Sequence, residues 1–251
     1  MKLCSIWLGR IPWKFPRPSS RSYTRGVSEF KDPLVGSEAA QSRSIVTRTT
    51  GDAWIAISRL IMESGRDGQY DELAIREIVL VTLSITEPHA HDEVIIRHAN
   101  EVRMAWMRAN FSDHSVVEAL DDADSYATRL RDYAHSGRDQ IEWVIRRLRA
   151  DPATRSATIT TFQPLTDTSY IPCVSLLDFF VIDDRLELVV YAHSIDFGAK
   201  GNANLVELAS LQEEVADGIG SALGTLTMII KSAHIYESDF SNVSSVLASS
   251  N

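Results

Sequence analysis

The sequence has almost no cysteine: two in 251 residues, Cys4 and Cys173. A disulfide framework is excluded, and a reducing, cytoplasmic setting is the simpler expectation. Long hydrophobic runs are missing too. No stretch approaches the roughly eighteen apolar residues of a membrane span, so no membrane partner is expected. Positive charge is in deficit, with 25 Lys and Arg against 34 Asp and Glu, a net charge of −9. That balance does not suit non-specific nucleic-acid binding, and no nucleic-acid partner is expected. Internal repeats and low-complexity linkers are absent. Acid is absent from the start of the chain, where Lys2, Arg10, Lys14, Arg17, Arg21 and Arg25 precede the first carboxylate, Glu29. Pro12, Pro16 and Pro18 break any helix there. Residues 1–45 read as a basic, disordered arm, with Cys4 incidental to it.

What remains is an ordinary globular composition, 44% apolar and 24% charged, large enough to bury a core. Trp54, Ile57, Leu60 and Ile61 fall at helical spacing behind Asp52 as N-cap. Ser64-Gly65 and Asp67-Gly68 end that helix. Residues 76–85 are β-branched on both parities and predict a buried strand stopped by Pro88. Helices are expected over 92–110, 125–133 and 139–150. The stripe Ile141, Val144, Ile145 and Leu148 marks the third. Strands are expected over 156–163, 174–182 and 186–194, with Asp183-Asp184 as a tight hairpin turn. A helix over 203–221 and a strand over 226–236 complete the pattern. The fold class is α+β, a mixed β-sheet with flanking helices.

Cys173 stands at the entrance of a strand, behind Pro172, which fixes the backbone before the sulfur. A nucleophilic thiol needs a nearby cation, and Arg155 is the candidate. His89-Ala90-His91-Asp92 reads as a solvated loop, and no metal is expected. Arg146-Arg147-Leu148-Arg149 reads as a solvated helix face.

The ordered series Ser125-Tyr126-Ala127-Thr128-Arg129-Leu130-Arg131, Asp139-Gln140, Asp151-Pro152-Ala153-Thr154-Arg155 and Pro172-Cys173 resembles the thymidylate synthase family. It continues through Tyr191-Ala192-His193-Ser194-Ile195-Asp196, Asn204 and His234-Ile235-Tyr236. The compact archaeal-type synthases and the related pyrimidine-nucleotide hydroxymethylases are the nearest forms. The resemblance implies a catalytic domain over 46–240, a polar tail over 241–251 and a sheet-stacked homodimer. It implies folate-dependent transfer of a methyl or hydroxymethyl group to C5 of a pyrimidine nucleotide, with 5,10-methylenetetrahydrofolate as the cofactor. By the same resemblance Cys173 adds to C6 of the base, which makes C5 nucleophilic. Asn204 reads O4 and N3 of the base, His234 and Tyr236 hold the sugar hydroxyl, and Asp196 anchors the folate ring. Tyr126 orders water near C5. Ser194, His193 and Arg155 face phosphate, Arg155 from the partner subunit, and Arg48 belongs to a mobile loop that also reaches phosphate. A proton-relay acid is expected among Glu77, Glu87 and Glu93, with Glu93 preferred.

Departures from the family pattern bear on the substrate. Ser156 and His193 stand where the family carries phosphate arginines, and neither can copy a bidentate guanidinium contact. Val174 replaces a histidine that commonly follows the nucleophile, and no long C-terminal lid is seen. These changes leave two rivals: a nucleotide-binding homologue with weakened turnover, and a specialised enzyme modifying UMP or CMP for secondary metabolism.

Overall fold

The computed structural model describes residues 43–70, 72–117, 123–167 and 170–250. The expected arm therefore lies outside the described residues, apart from 43–45. Those three already belong to a strand, β1 (Arg43–Thr47), so the sheet begins earlier than the domain boundary expected at 46.

The eight-stranded mixed sheet has the order β1, β3 (Leu73–Ile85), β10 (Ala222–Tyr236), β8 (Arg185–Ala192), β7 (Val174–Ile182), β6 (Thr158–Thr160). On its flank β2 (Arg66–Tyr70) pairs with β3, and β9 (Ile195–Asp196) pairs with β10. Val81, Leu83 and Ile85 of β3, Leu186, Leu188 and Val190 of β8, and Leu226, Met228 and Ile230 of β10 alternate into the core. Against them pack α1 (Thr50–Ser64), α5 (Gln140–Ala150) and α6 (Gly201–Ile219). In α6 every residue from Gly201 to Ala209 is buried, so the first half of this helix is core on all sides, while Ser210, Glu214 and Asp217 face solvent. A separate two-stranded ribbon is formed by β4 (Val116–Val117) and β5 (Ala123–Asp124).

Local chemistry explains where the elements begin. Thr49, not Asp52, is the N-cap of α1, and the two side chains form a reciprocal capping box. Asp139 caps α5 by accepting the Glu142 amide at 2.9 Å. The single helix expected over 92–110 is two, α2 (Glu93–His98) and α3 (Glu101–Ser112). The break arises because the Asn100 side chain accepts the Arg103 amide at 3.1 Å and starts a new helix. The Asp67-Gly68 stretch is not a loop after α1. It is strand, laced to β3 by Arg66–Glu77 and Asp67–Arg76 ion pairs at 2.6 and 2.9 Å. Asp183 and Asp184 adopt φ of 50° and 60°, the left-handed pair a two-residue hairpin requires. The expected polar tail is instead a helix, α7 (Phe240–Ser249), because Val243 and Val246 bury against the core.

The sheet bends near one level. Leu80 has φ of 58°, and the inward-facing positions of β3 switch from Val81 to Ile78. In β10 they switch from Ile230 to Ala233. Beyond the bend the register sets Glu77, His234 and Asp196 in one row across β3, β10 and β9. On the outer face Leu80, Leu176, Tyr191 and Ile229 are exposed.

One buried ion pair ties the helical layer to the segment leading to Cys173. Arg129, on α4 (Tyr126–Arg131), is 2% exposed and holds both oxygens of Asp167 at 2.8 and 2.9 Å. It also donates to the Asp124 and Thr161 carbonyls at 3.0 and 2.9 Å. Arg129→Met is expected to cost about 3–5 kcal/mol by stranding the Asp167 charge. The double variant Arg129→Met/Asp167→Asn should cost less than that single change. Denaturant unfolding at fixed protein concentration measures both, and a single-variant cost below about 1 kcal/mol would contradict this role.

Candidate functional site

Cys173 ends the loop that enters β7, and its side chain is partly buried against the core. Three bonds fix the backbone around it. The His193 amide donates to the Cys173 carbonyl at 3.0 Å. The Val174 amide donates to the Tyr126 hydroxyl at 3.0 Å. The Thr161 hydroxyl donates to the Val174 carbonyl. Directly after Cys173 the β7–β8 pairing slips between Val174 and Leu176, a bulge that re-aims the strand end. Ser175, the extra residue, donates to the Pro172 carbonyl at 3.3 Å and stands 3.4 Å from His193 Nδ1.

Burial pushes the Cys173 thiol up, while Tyr170 and Lys200 pull it down and Asp196 opposes them. Within the chain, then, the cation that acts on the thiol is Lys200, at the start of α6, rather than Arg155. The Lys200 ammonium also stands 4.7 Å from the Trp106 ring centroid. Arg155 is exposed, and the β6–β7 register puts it at the opposite end of β7 from Cys173.

Of the other expected residues, Tyr126 and Asp196 are coupled electrostatically to the thiol. Tyr126 is buried, stacked on Phe111 at 4.5 Å, and held as a neutral phenol by burial. Asp196 accepts the Gly198 amide at 3.0 Å. Burial first, then the neighbouring Asp239, pushes its carboxyl up to about 6. Asn204 is 5% exposed; its Nδ2 donates to the Lys200 carbonyl at 3.2 Å, while its Oδ1 has no partner. His234 and Tyr236 do share one strand face, with rings edge to face at 5.2 Å. The Ser194 hydroxyl stands 3.5 Å from His234 Nδ1. Burial lowers His234, and burial with Lys231 lowers His193, so both imidazoles are neutral at pH 7.

The remaining expected residues stand apart. Arg48 pairs with Glu87 at 3.3 Å on the surface. Glu93 is exposed in the first turn of α2, where an acid favours the helix start rather than a site. Glu77 accepts from Ser232 at 2.7 Å and lies beside His234. Three residues near the site went unnoticed in the sequence: Tyr170, Lys200 and Glu207. Glu207 is 8% exposed, one helical turn beyond Asn204, and burial raises its carboxyl. Its position three residues after Asn204, among the apolar Leu205, Val206, Leu208 and Ala209, was the available signal. These residues offer a thiol, a buried phenol and an ammonium that act on it, a near-neutral carboxyl and a buried amide acceptor. That combination suits nucleophilic addition to a flat, hydrogen-bonding ring.

Residues 89–251 match the family model described as thymidylate synthase. A protein of Methanococcoides burtonii with the provisional name thymidylate synthase is 33% identical over 223 residues, covering 84% of this chain and 97% of its own. One of Methanosarcina barkeri, under the same provisional name, is 32% identical over 82% of this chain and 94% of its own. A deoxyuridylate hydroxymethyltransferase of Bacillus phage SP01 is 32% identical over 130 residues, 46% of this chain and 34% of the phage protein.

The raised Asp196 carboxyl makes a stability prediction. The folded state holds this proton more tightly than the unfolded chain, so stability falls as pH rises through about 6. Asp196→Asn removes that cost, up to about 3 kcal/mol. The variant should melt above the parent at pH 7.5, with the gap closing towards pH 4. A gap independent of pH would contradict this electrostatic reading.

Proposed function

This chain belongs to the thymidylate synthase family, and on that premise we propose that it is an enzyme transferring a one-carbon unit to C5 of a pyrimidine nucleotide. The observation that carries this reading is the free Oδ1 of Asn204, buried at the head of α6, the helix that Lys200 opens. A buried carbonyl oxygen without a donor costs about 1–3 kcal/mol, and a ring N–H relieves it. Uracil carries that N–H at N3; neutral cytosine does not. The second Nδ2 hydrogen of the same amide suits O4.

On this reading the Cys173 thiolate adds to C6. The electron pair displaced from the C5–C6 double bond spreads over C5 and O4, where the Asn204 amide stabilises it. Tyr126, as a neutral phenol, orders water near C5. His234 and Tyr236 hold the sugar hydroxyl, and Ser194 supports His234. For proton relay Glu207 is better suited than Glu93, whose carboxylate stands in solvent. Phosphate falls to Ser194, His193, Arg48 and Arg155. A neutral His193 supplies hydrogen bonding rather than charge.

The residues beside Asp196 fit a folate ring. Close to it, a cavity lined by Trp54, Arg103, Gly198, Asn202 and Asp239 measures about 410 Å³. A carboxyl near half-protonation both donates and accepts, which suits a pterin-like edge. Methylenetetrahydrofolate, when bound, supplies the one-carbon unit. Trp54 donates to the Phe197 carbonyl at 3.2 Å and so holds the wall of this cavity in place.

Arg155 serves the partner's site in this proposal, because it stands far from the sulfur of its own chain. The outer sheet face, with Leu80, Leu176, Tyr191 and Ile229, is the surface that a second copy would cover to form the homodimer. The neutral His193 and Ser156 favour a second reading, in which phosphate is held weakly and the substrate differs from an ordinary monophosphate. The methyl and hydroxymethyl outcomes differ in whether water reaches the transferred carbon.

Two variants test the main reading. Cys173→Ala should abolish tritium release from C5 of labelled dUMP or UMP, and retained release would remove the sulfur from the chemistry. Asn204→Asp should move preference towards the cytosine nucleotide by at least tenfold, about 1.4 kcal/mol. An unchanged preference would contradict the base-reading role.

A further inference from the structure

Residues 197–200 form the turn between β9 and α6, directly after Asp196. Side chains from two other helices hold its carbonyls. Trp54 of α1 donates to the Phe197 carbonyl at 3.2 Å. Arg103 of α3 donates to the next one, the Gly198 carbonyl, through Nη1 at 3.1 Å. Through Nη2 the same guanidinium donates to the Asp239 carboxylate, also at 3.1 Å. The Gly198 amide, in turn, donates to Asp196 Oδ1 at 3.0 Å. The turn is pressed close: a Cβ on Gly198 would stand 2.8 Å from Ile235 Cγ2 and 2.9 Å from Asp239 Cβ.

We propose that Arg103 is a positioning residue: by bridging the Gly198 carbonyl and Asp239 it holds the Gly198 amide on the Asp196 carboxyl and fixes where that carboxyl points. Its own helix gives no reason for an arginine. Arg103 is the third residue of α3, where the helix dipole disfavours a cation. The bridge does give one. Two nitrogens of one planar group reach acceptors on two different segments, and a lysine ammonium cannot copy that fork. Arg103 and Gly198 also line the 410 Å³ cavity assigned to folate, so the clamp forms part of its wall.

The bridge carries charge as well as geometry. Asp239 pushes the Asp196 carboxyl up, second to burial, and Arg103 is the cation paired with Asp239. Lys200, at the head of α6, acts on Asp196 in the opposite direction. Cys173, on the loop into β7, is coupled to it too. Across the sheet its row continues through His234 of β10 and Glu77 of β3.

The meaning for folate rests on the reading of Asp196 as its anchor, but the clamp is tested without nucleotide or folate. Phe197-Gly198 is the only Phe-Gly pair in the sequence, so labelling with carbonyl-¹³C Phe and ¹⁵N Gly isolates the Gly198 amide by NMR. In the parent this amide should titrate with Asp196, with an inflection near pH 6. Arg103→Gln should cut the amplitude by about half, because the turn is released, and raise the inflection by about one pH unit, because Asp239 loses its cation. A packing defect that wets Asp196 lowers the inflection instead, so the upward sign is the decisive one. Asp239→Asn should lower it. If Arg103→Gln folds poorly, adding it to Asp239→Asn strands no carboxylate and should still raise the inflection above that of Asp239→Asn alone. Arg103→Lys keeps the charge without the fork, and should lose amplitude with its inflection close to the parent's. An inflection that stays or falls on replacing Arg103 with Gln overturns the proposal. In turnover, Arg103→Gln should raise KM for methylenetetrahydrofolate about tenfold and leave KM for the nucleotide unchanged. An altered titration with an unchanged folate KM upholds the clamp and counts against Asp196 as the folate anchor.

Discussion

The hydrogen bond from the Val174 amide to the Tyr126 phenol is the contact on which the site depends. It joins the first residue of β7 to the first residue of α4, and so fixes the helical layer against the strand end that carries Cys173. Buried, it has no water to replace it. The Thr161 hydroxyl holds the Val174 carbonyl, and Arg129 with Asp167 anchors the segment that follows Thr161. A backbone bound on both its amide and its carbonyl has little freedom to reposition its sulfur. The bulge at Ser175 then turns the strand end away from the regular pleat.

Electrostatics around that sulfur are finely opposed. Burial raises the thiol, Asp196 and Glu207, and lowers His193 and His234. The site therefore favours neutral groups, with Lys200 as the cation acting on the thiol. A neutral, hydrogen-bonding interior suits a polar but uncharged ring. Phosphate needs charge from elsewhere, which the proposed dimer assigns to Arg155 at the far end of β7.

Much of this was legible in the sequence. The bounds of β7 follow from its composition, the Asp139 cap from its position, and the Asp183-Asp184 turn from two residues that tolerate a left-handed backbone. The motif series brings Cys173, Tyr126, Asp196, Asn204 and His234 into one resemblance. Other features depend on contacts distant in sequence. β2 reads as loop until β3 lies beside it, and α7 reads as polar tail until Val243 and Val246 find the core. Asn100 splits a helix whose periodicity alone continues. Lys200 carries no motif, because its effect on the thiol arises only once the chain has folded. Glu93 was favoured for its region, and only burial separates it from Glu207.

The central claim is that Cys173 bonds covalently to a pyrimidine ring. Intact-protein mass spectrometry after incubation with 5-fluoro-dUMP or 5-fluoro-UMP, with and without methylenetetrahydrofolate, tests it most directly. The account predicts a stoichiometric adduct that peptide mapping assigns to Cys173. No adduct under any of these conditions, or one on another residue, would contradict it.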